Sequence, residues 1–203
     1  MWRIFRVGLN EHEARHVDDE SKQRVSVWIS IAAAVLLSFE RVCYLWIWHS
    51  PERFRDWCIK LATINISADS VEILQFLFCA FKVLQGAVFV GWCIIFSGGT
   101  LRPASPELFN LGVGGALIAA GQALNASVFH RLGKIGVFYG NKLGYRIPWS
   151  RKFPFSCMKH PQYLGALLSI WGFFLIMRFP YDDWYLLPAI ETVYYGLGAY
   201  LER

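Results

Sequence analysis

Two acids near the end of the chain, Glu191 and Glu202, stand eleven residues apart in an otherwise apolar run. Eleven residues are close to three helical turns, so on one helix both carboxylates face the same way, with Tyr195 and Gly198 on that face between them. An ionisable group inside such a run must be paired or look into a polar cavity, which makes it a functional candidate. Glu202, at the end of the run, could equally meet water. A second pair is His160 and Tyr163, in Lys159-His-Pro-Gln-Tyr-Leu-Gly165. Pro161 suits the first turn of a helix, which puts His160 and Tyr163 on one face. A His ahead of a Pro is more often a cap or interface residue than a catalyst, but it is the side chain best able to exchange a proton near neutral pH.

Small residues supply a different kind of opportunity. Gly112, Ala116 and Ala120 form one row at a spacing of four, and Gly115, Ala119, Ala123 and Ser127 form another. Such rows let two helix backbones approach closely in lipid; the same missing side chains also let a nucleotide lie against the backbone. Gly133, Gly136, Gly140 and Gly144 follow, where the chain leaves its third apolar stretch. They could form a flexible re-entrant stretch or a loop whose backbone N–H groups face an anion. The segment His12-Glu-Ala-Arg-His16 matches the H-E-x-x-H zinc pattern. It lies in a short polar arm without the third ligand and closed cavity such a site needs, so no metal is expected.

These residues are carried by elements whose nature the composition decides. Of 203 residues, 55% are hydrophobic and only 17% are charged, against about 25% charged in ordinary soluble domains. The mean hydropathy is +0.35. A water-facing coat is missing, and nine Trp, nine Tyr and sixteen Phe suit the two bilayer interfaces, where aromatic residues gather. The net charge of +5 fits cytosolic loops beside anionic headgroups. No basic, aromatic-interleaved module stands apart from the apolar runs, so nucleic acid is not expected as a partner. The five cysteines include no C-x-x-C pair and suggest neither a zinc knuckle nor a disulfide framework.

Along the chain, residues 1–24 form a polar arm, too polar for a cleavable signal peptide, so the first apolar helix would serve as a signal anchor. Apolar stretches follow at 25–48, interrupted by Glu40-Arg41, at 71–96 with a single lysine, Lys82, and at 108–129. After a polar segment at 130–160 come shorter apolar pieces at 163–177 and 184–201. Strand-like alternation is lacking. The expectation is an all-α integral membrane protein, a bundle of four or five transmembrane helices with a polar, re-entrant loop segment. It would divide into the arm, a two-helix region at 25–107, and a catalytic region at 108–203.

The tract Gly121-Gln-Ala-Leu-Asn-Ala-Ser-Val-Phe-His-Arg-Leu-Gly-Lys-Ile-Gly-Val-Phe-Tyr-Gly140, with Phe153-Pro-Phe155 and the His160-Pro-Gln-Tyr-Leu-Gly165 turn, resembles the phosphatidylethanolamine and phospholipid N-methyltransferases of the endoplasmic reticulum. It is more distantly similar to the isoprenylcysteine carboxyl methyltransferases, in which His is usual at the start of that turn. The resemblance covers about residues 108–203. It implies a multi-pass protein of the endoplasmic reticulum membrane that uses S-adenosylmethionine to methylate phosphatidylethanolamine, or its mono- and dimethyl forms, toward phosphatidylcholine. It implies membrane lipids as its surroundings and a phospholipid as its substrate.

In that family a Gly-x-Gly in the third helix and a Glu-Glu pair ending the last hold the cofactor. By position these fall on Ala119-Ala120-Gly121 and on Glu202-Arg203, so the first Gly is Ala and the second acid is Arg. His160 and Tyr163 are the candidates for the catalytic role. Aromatic faces at Trp184, Tyr194 and Tyr195 could embrace a methylated ammonium. Two other readings stay open on sequence: carboxyl methylation of a prenylated cysteine, and an inactive scaffold that keeps the fold.

Overall fold

A computed structural model describes residues 2–62, 69–103, 107–148 and 150–202, with the backbone alone for residues 2–25 and 62. The described residues form six helices and no strand: α1 (Trp2–His49), α2 (Pro51–Ala62), α3 (Ser70–Phe96), α4 (Leu108–Val137), α5 (Pro161–Met177) and α6 (Leu186–Leu201). Helices must carry this sequence through lipid because each satisfies its own backbone N–H and C=O groups. This is an all-α integral membrane protein.

Three segments are long and apolar enough to cross a bilayer, Ser26–His49, Ser70–Phe96 and Leu108–Val137. At about 1.5 Å per residue, the 17 residues of α5 and the 16 of α6 reach about 25 Å, short of the roughly 30 Å hydrocarbon core. They are apolar helices that lean on the longer ones. The chain divides into two compact units at residue 36. In the first, α1 is already helical from Trp2, so the polar arm is helix in its backbone. The second, from Leu37 onward, holds everything described below.

In that second unit the helices alternate in direction. One end, termed the near end, gathers the C-termini of α1, α4 and α6 with the N-termini of α3 and α5. Phe78 meets Phe138 there, Tyr44 and Trp48 meet Tyr139, and Tyr139 meets Tyr163 and Glu202. A core of Ile47, Phe54, Cys58, Val71, Leu74, Phe138 and Leu143 fills this end. It includes α2, whose Phe54 and Cys58 are buried while Glu52, Arg53, Asp56 and Lys60 are exposed. That amphipathy suits a helix lying in the interface plane. At the opposite, far end, Trp92 donates to Asp183 (3.0 Å), which also pairs with Arg178. Asp69 caps α3, accepting from the Val71 N–H at 2.9 Å.

The polar segment begins later than its charges suggest. α4 continues to Val137, bending at Gly133, whose φ of 64° and ψ of −179° are not helical. A side chain would be strained at that φ, so the glycine is what lets the helix turn while remaining continuous on either side.

The α4–α5 seam is the tightest contact in the structure. A Cβ on Gly114 would lie 2.8 Å from the Gly172 carbonyl oxygen, and one on Gly165 would lie 2.7 Å from the Gly121 carbonyl oxygen. A Cβ on Gly121 would strike the Gly165 carbonyl and Ser169 Oγ. The two helices run antiparallel, with glycines spaced by seven on each, Gly114 and Gly121 against Gly172 and Gly165. The rows expected from a spacing of four lie elsewhere. Gly112, Gly115, Ala116, Ala119, Ala120 and Ala123 are all exposed.

Candidate functional site

Glu202 is where the near end converges. As the C-cap of α6, it accepts from the Tyr139 hydroxyl at 2.8 Å and from the Tyr163 hydroxyl at 2.6 Å. It does not simply meet water. Burial, with Tyr163 and Glu202 alongside, raises the Tyr139 hydroxyl well above the ordinary tyrosine range, so it keeps its proton and remains a donor. Tyr139 stands at φ 51°, a left-handed backbone that non-glycine residues rarely adopt. Ring contacts with Tyr44 (5.7 Å) and Trp48 (6.0 Å) and the bond to Glu202 together hold it there. His160, the N-cap of α5, stacks on Tyr163 with ring centroids 5.4 Å apart and planes 12° apart. The structure thus brings Tyr163, stacked by His160, onto Glu202, a grouping the sequence did not state, and adds Tyr139, which it did not single out.

The other family positions fall differently. Ala119 and Ala120 are exposed on α4, whereas Gly121 is sealed against Gly165. Gly121 meets α5 two residues past Tyr163, so the seam and the Glu202 cluster share one short stretch of that helix. Arg203 lies outside the described residues, as does the Trp149 position in the polar segment. The side chains of His12, Glu13 and His16 are likewise outside them. Among the described residues, no group of three or more His, Cys, Asp or Glu is arranged to hold a metal.

A second polar cluster lies deeper in the bundle, on α1, α3 and α6. Lys82 pairs with Glu40 at 3.0 Å, donates to Gln85 Oε1 at 3.0 Å and reaches the Tyr195 hydroxyl at 3.4 Å. Gln85 Nε2 donates to Glu191 Oε1. Arg41 pairs with Glu40 at 3.3 Å and lies over the Tyr195 ring, 3.8 Å from its centroid. Glu40, Arg41 and Lys82 each find a partner on another helix or beside them, as charges in lipid must. The sequence signal was there: Glu40-Arg41 and Lys82 were charges set inside two apolar spans. Glu191 and Tyr195 belong to the buried face of α6, so the face inferred from residue spacing is the one turned inward. Of the aromatic candidates, only Tyr195 joins this cluster. Trp184 packs at the far end against Trp171 and Phe179, and Tyr194 is half-buried on a neighbouring face.

The tyrosine faces and carboxylates suit positive charge. A guanidinium already rests on Tyr195, which shows that the face accepts positive charge. Glu202 is held by two phenols, so its carboxylate is fixed in place. These features define a class: a polytopic helical membrane protein that buries Glu40, Arg41 and Glu191 inside its bundle.

Comparison with known proteins agrees with that class and narrows it. Residues 109–202 match the family described as phospholipid methyltransferase. The chain is 30% identical over 139 residues to the phosphatidyl-N-methylethanolamine N-methyltransferase of Arabidopsis thaliana, covering 68% of this chain and 73% of that one. No solved structure matches. The chain belongs to the phospholipid methyltransferase family. The match begins in α4 and ends on Glu202, so it includes the seam, Tyr139, His160, Tyr163 and Glu191, while Glu40, Arg41, Lys82 and Gln85 lie before it.

Proposed function

We propose that this protein methylates the headgroup nitrogen of phosphatidylethanolamine or its mono- and dimethyl forms, toward phosphatidylcholine, with S-adenosylmethionine as donor. The observation that carries the reading is the Glu202 carboxylate, tied down by Tyr139 and Tyr163 at the end of the family-matched region. The relative's acceptor points to the monomethyl form as a substrate here. The membrane is proposed to be that of the endoplasmic reticulum. Lys142, Arg146, Arg151, Lys152 and Lys159 follow α4 at the near end, which favours the cytosol for that side by the positive-inside rule.

S-adenosylmethionine, when bound, supplies a methyl group on a sulfonium cation. Glu202 would hold the donor's polar groups, with Tyr139 and Tyr163 fixing the carboxylate and presenting aromatic faces to positive charge. Arg203 follows Glu202 directly and is proposed to contact the same ligand. Gly121 acts through the close approach of α4 to α5, which sets Tyr163 against α6, and the exposed Ala119 and Ala120 are proposed to lie along the donor. His160, stacked on Tyr163, is the group at this end suited to pass the amine's released proton to water. The helices around the site exclude water from the transfer.

The test is transfer of labelled methyl from S-adenosylmethionine by the purified protein in lipid. The acceptors offered are phosphatidylethanolamine, its monomethyl and dimethyl forms, and a prenylated cysteine. Label on the lipid nitrogen is the expected result. Label on a prenyl-cysteine ester alone would replace this reading with the carboxyl-methylating one. No transfer together with no donor binding would favour an inactive scaffold.

A further inference from the structure

Four charged side chains, Glu40, Arg41, Lys82 and Glu191, meet between α1, α3 and α6, two of each sign. Paired charges inside a protein seldom add stability over apolar residues of the same size, and in lipid they are functional candidates. The cluster is also incompletely satisfied. Among the described residues, Glu191 Oε2, Arg41 Nε and the Tyr44 hydroxyl are buried without a hydrogen-bond partner. Their residues are 1%, 7% and 7% exposed. Arg41 stands 5.7 Å from the Tyr44 ring centroid, and a buried unpaired polar atom is costly, so these three ask for a ligand.

We propose that this cluster receives the zwitterionic headgroup of the acceptor phospholipid, its amine on Glu191 and its phosphate on Arg41 and Tyr44. The three unpartnered atoms are one acceptor and two donors, the complement of an ammonium beside a phosphate. The formal charges of the cluster cancel, so a neutral zwitterion adds no net charge to the membrane interior, whereas an anionic lipid would. A cation alone would leave Arg41 Nε and the Tyr44 hydroxyl unanswered; an anion alone would leave Glu191. Arg41 is held by Glu40 and by the Tyr195 face, and Glu191 is held through Gln85, so both ends of the headgroup meet fixed groups. Along α6 at about 1.5 Å per residue, Glu191 lies about 16 Å from Glu202. The acceptor nitrogen is therefore on the α6 face that carries Glu202 at its end.

Arg178 at the far end offers a contrast. It too has unpartnered buried nitrogens, but they are donors only, and its charge is answered by Asp183. It lacks the acceptor that an amine requires.

The inference rests on the phospholipid-methylating reading, yet binding can be tested without turnover. Short-chain phosphatidyl-N-methylethanolamine and short-chain phosphatidylglycerol, which has no amine, are titrated into the full chain in detergent. The wild type, Glu191→Gln and Tyr44→Phe are compared, each checked by its unfolding midpoint. Glu191→Gln is expected to weaken the amine lipid by about tenfold or more and phosphatidylglycerol by less than about twofold. Tyr44→Phe should weaken both lipids by roughly threefold to tenfold. Equal weakening of both lipids by Glu191→Gln would overturn the assignment of the amine. Wild-type affinity for the amine lipid in the folded variants, or in Tyr44→Phe should Glu191→Gln not fold, would overturn the site. Lipid binding that follows this pattern in a protein without methyl transfer would count against the enzymatic reading instead.

Discussion

The α4–α5 seam and the α1–α3–α6 cluster solve one problem in opposite ways. Helices in lipid gain little from burying apolar surface against one another, because the surrounding chains are as apolar as the core. The seam answers by shape: glycines at 114, 121, 165 and 172 bring two backbones into contact. The cluster answers by charge, with Lys82 reaching Glu40, Gln85 and Tyr195 across three helices. Among the described residues, the close-packed seam keeps one buried polar atom without a partner, Asn125 Oδ1 beside Gly165. The cluster keeps three unsatisfied ones. Adding a single carbon should therefore wreck the first region, whereas the second should tolerate isosteric change in fold and register it in binding.

The largest expected effect follows at Gly121. Gly121→Ala drives a methyl into the Gly165 carbonyl and Ser169, and should cost about 2 kcal/mol or more in reversible unfolding from mixed micelles. An unchanged midpoint would mean that α4 and α5 are not this close.

Glu202→Gln comes next. It keeps the shape but weakens the acceptor of the Tyr139 and Tyr163 bonds, and should lower S-adenosylhomocysteine affinity in calorimetry about tenfold or more. Affinity equal to that of the wild type would remove Glu202 from the donor site. Tyr163→Phe removes one of two phenols from Glu202 while preserving the ring beneath His160, so the loss of donor affinity should be smaller, roughly threefold to tenfold. A larger loss than that of Glu202→Gln would show that the hydroxyl touches the ligand directly.

The smallest effect belongs to Gly115→Ala, the same substitution on the same helix as Gly121→Ala. Nothing lies within 4 Å of the added carbon. Removing a helical glycine should leave stability unchanged or raise it by up to about 1 kcal/mol. Marked destabilisation would mean that another surface covers this face of α4.

Spans at 25–48, 71–96 and 108–129 were readable because long apolar runs in a chain with few charges have one physical outcome. The shared face of Glu191, Tyr195, Gly198 and Glu202 was readable for a similar reason, since three turns of a helix bring residues back into line. The seam was not found, because small residues were sought at a spacing of four. Helices crossing at a shallow angle instead repeat their contact every seven residues, and Gly114/Gly121 matched with Gly165/Gly172 carry that signal. The extension of α4 to Val137 was hidden by its charges and by Gly133, whose bend redirects the helix without ending it. Tyr139 could not be singled out because it meets Glu202 only through folding across 63 positions of sequence. Lys82 and Glu40 were conspicuous as charges inside apolar spans, but sequence does not state which distant partner each will find.

The central claim is that the face of α6 running from Glu191 to Glu202 binds both the donor and the lipid. The most direct measurement is an experimental structure of the full chain in lipid with saturating S-adenosylhomocysteine. The account predicts nucleoside density in contact with Glu202, Tyr139 and Tyr163. Density bound to other helices, with the Glu202 carboxylate still closed by its two tyrosines and touching nothing else, would contradict it.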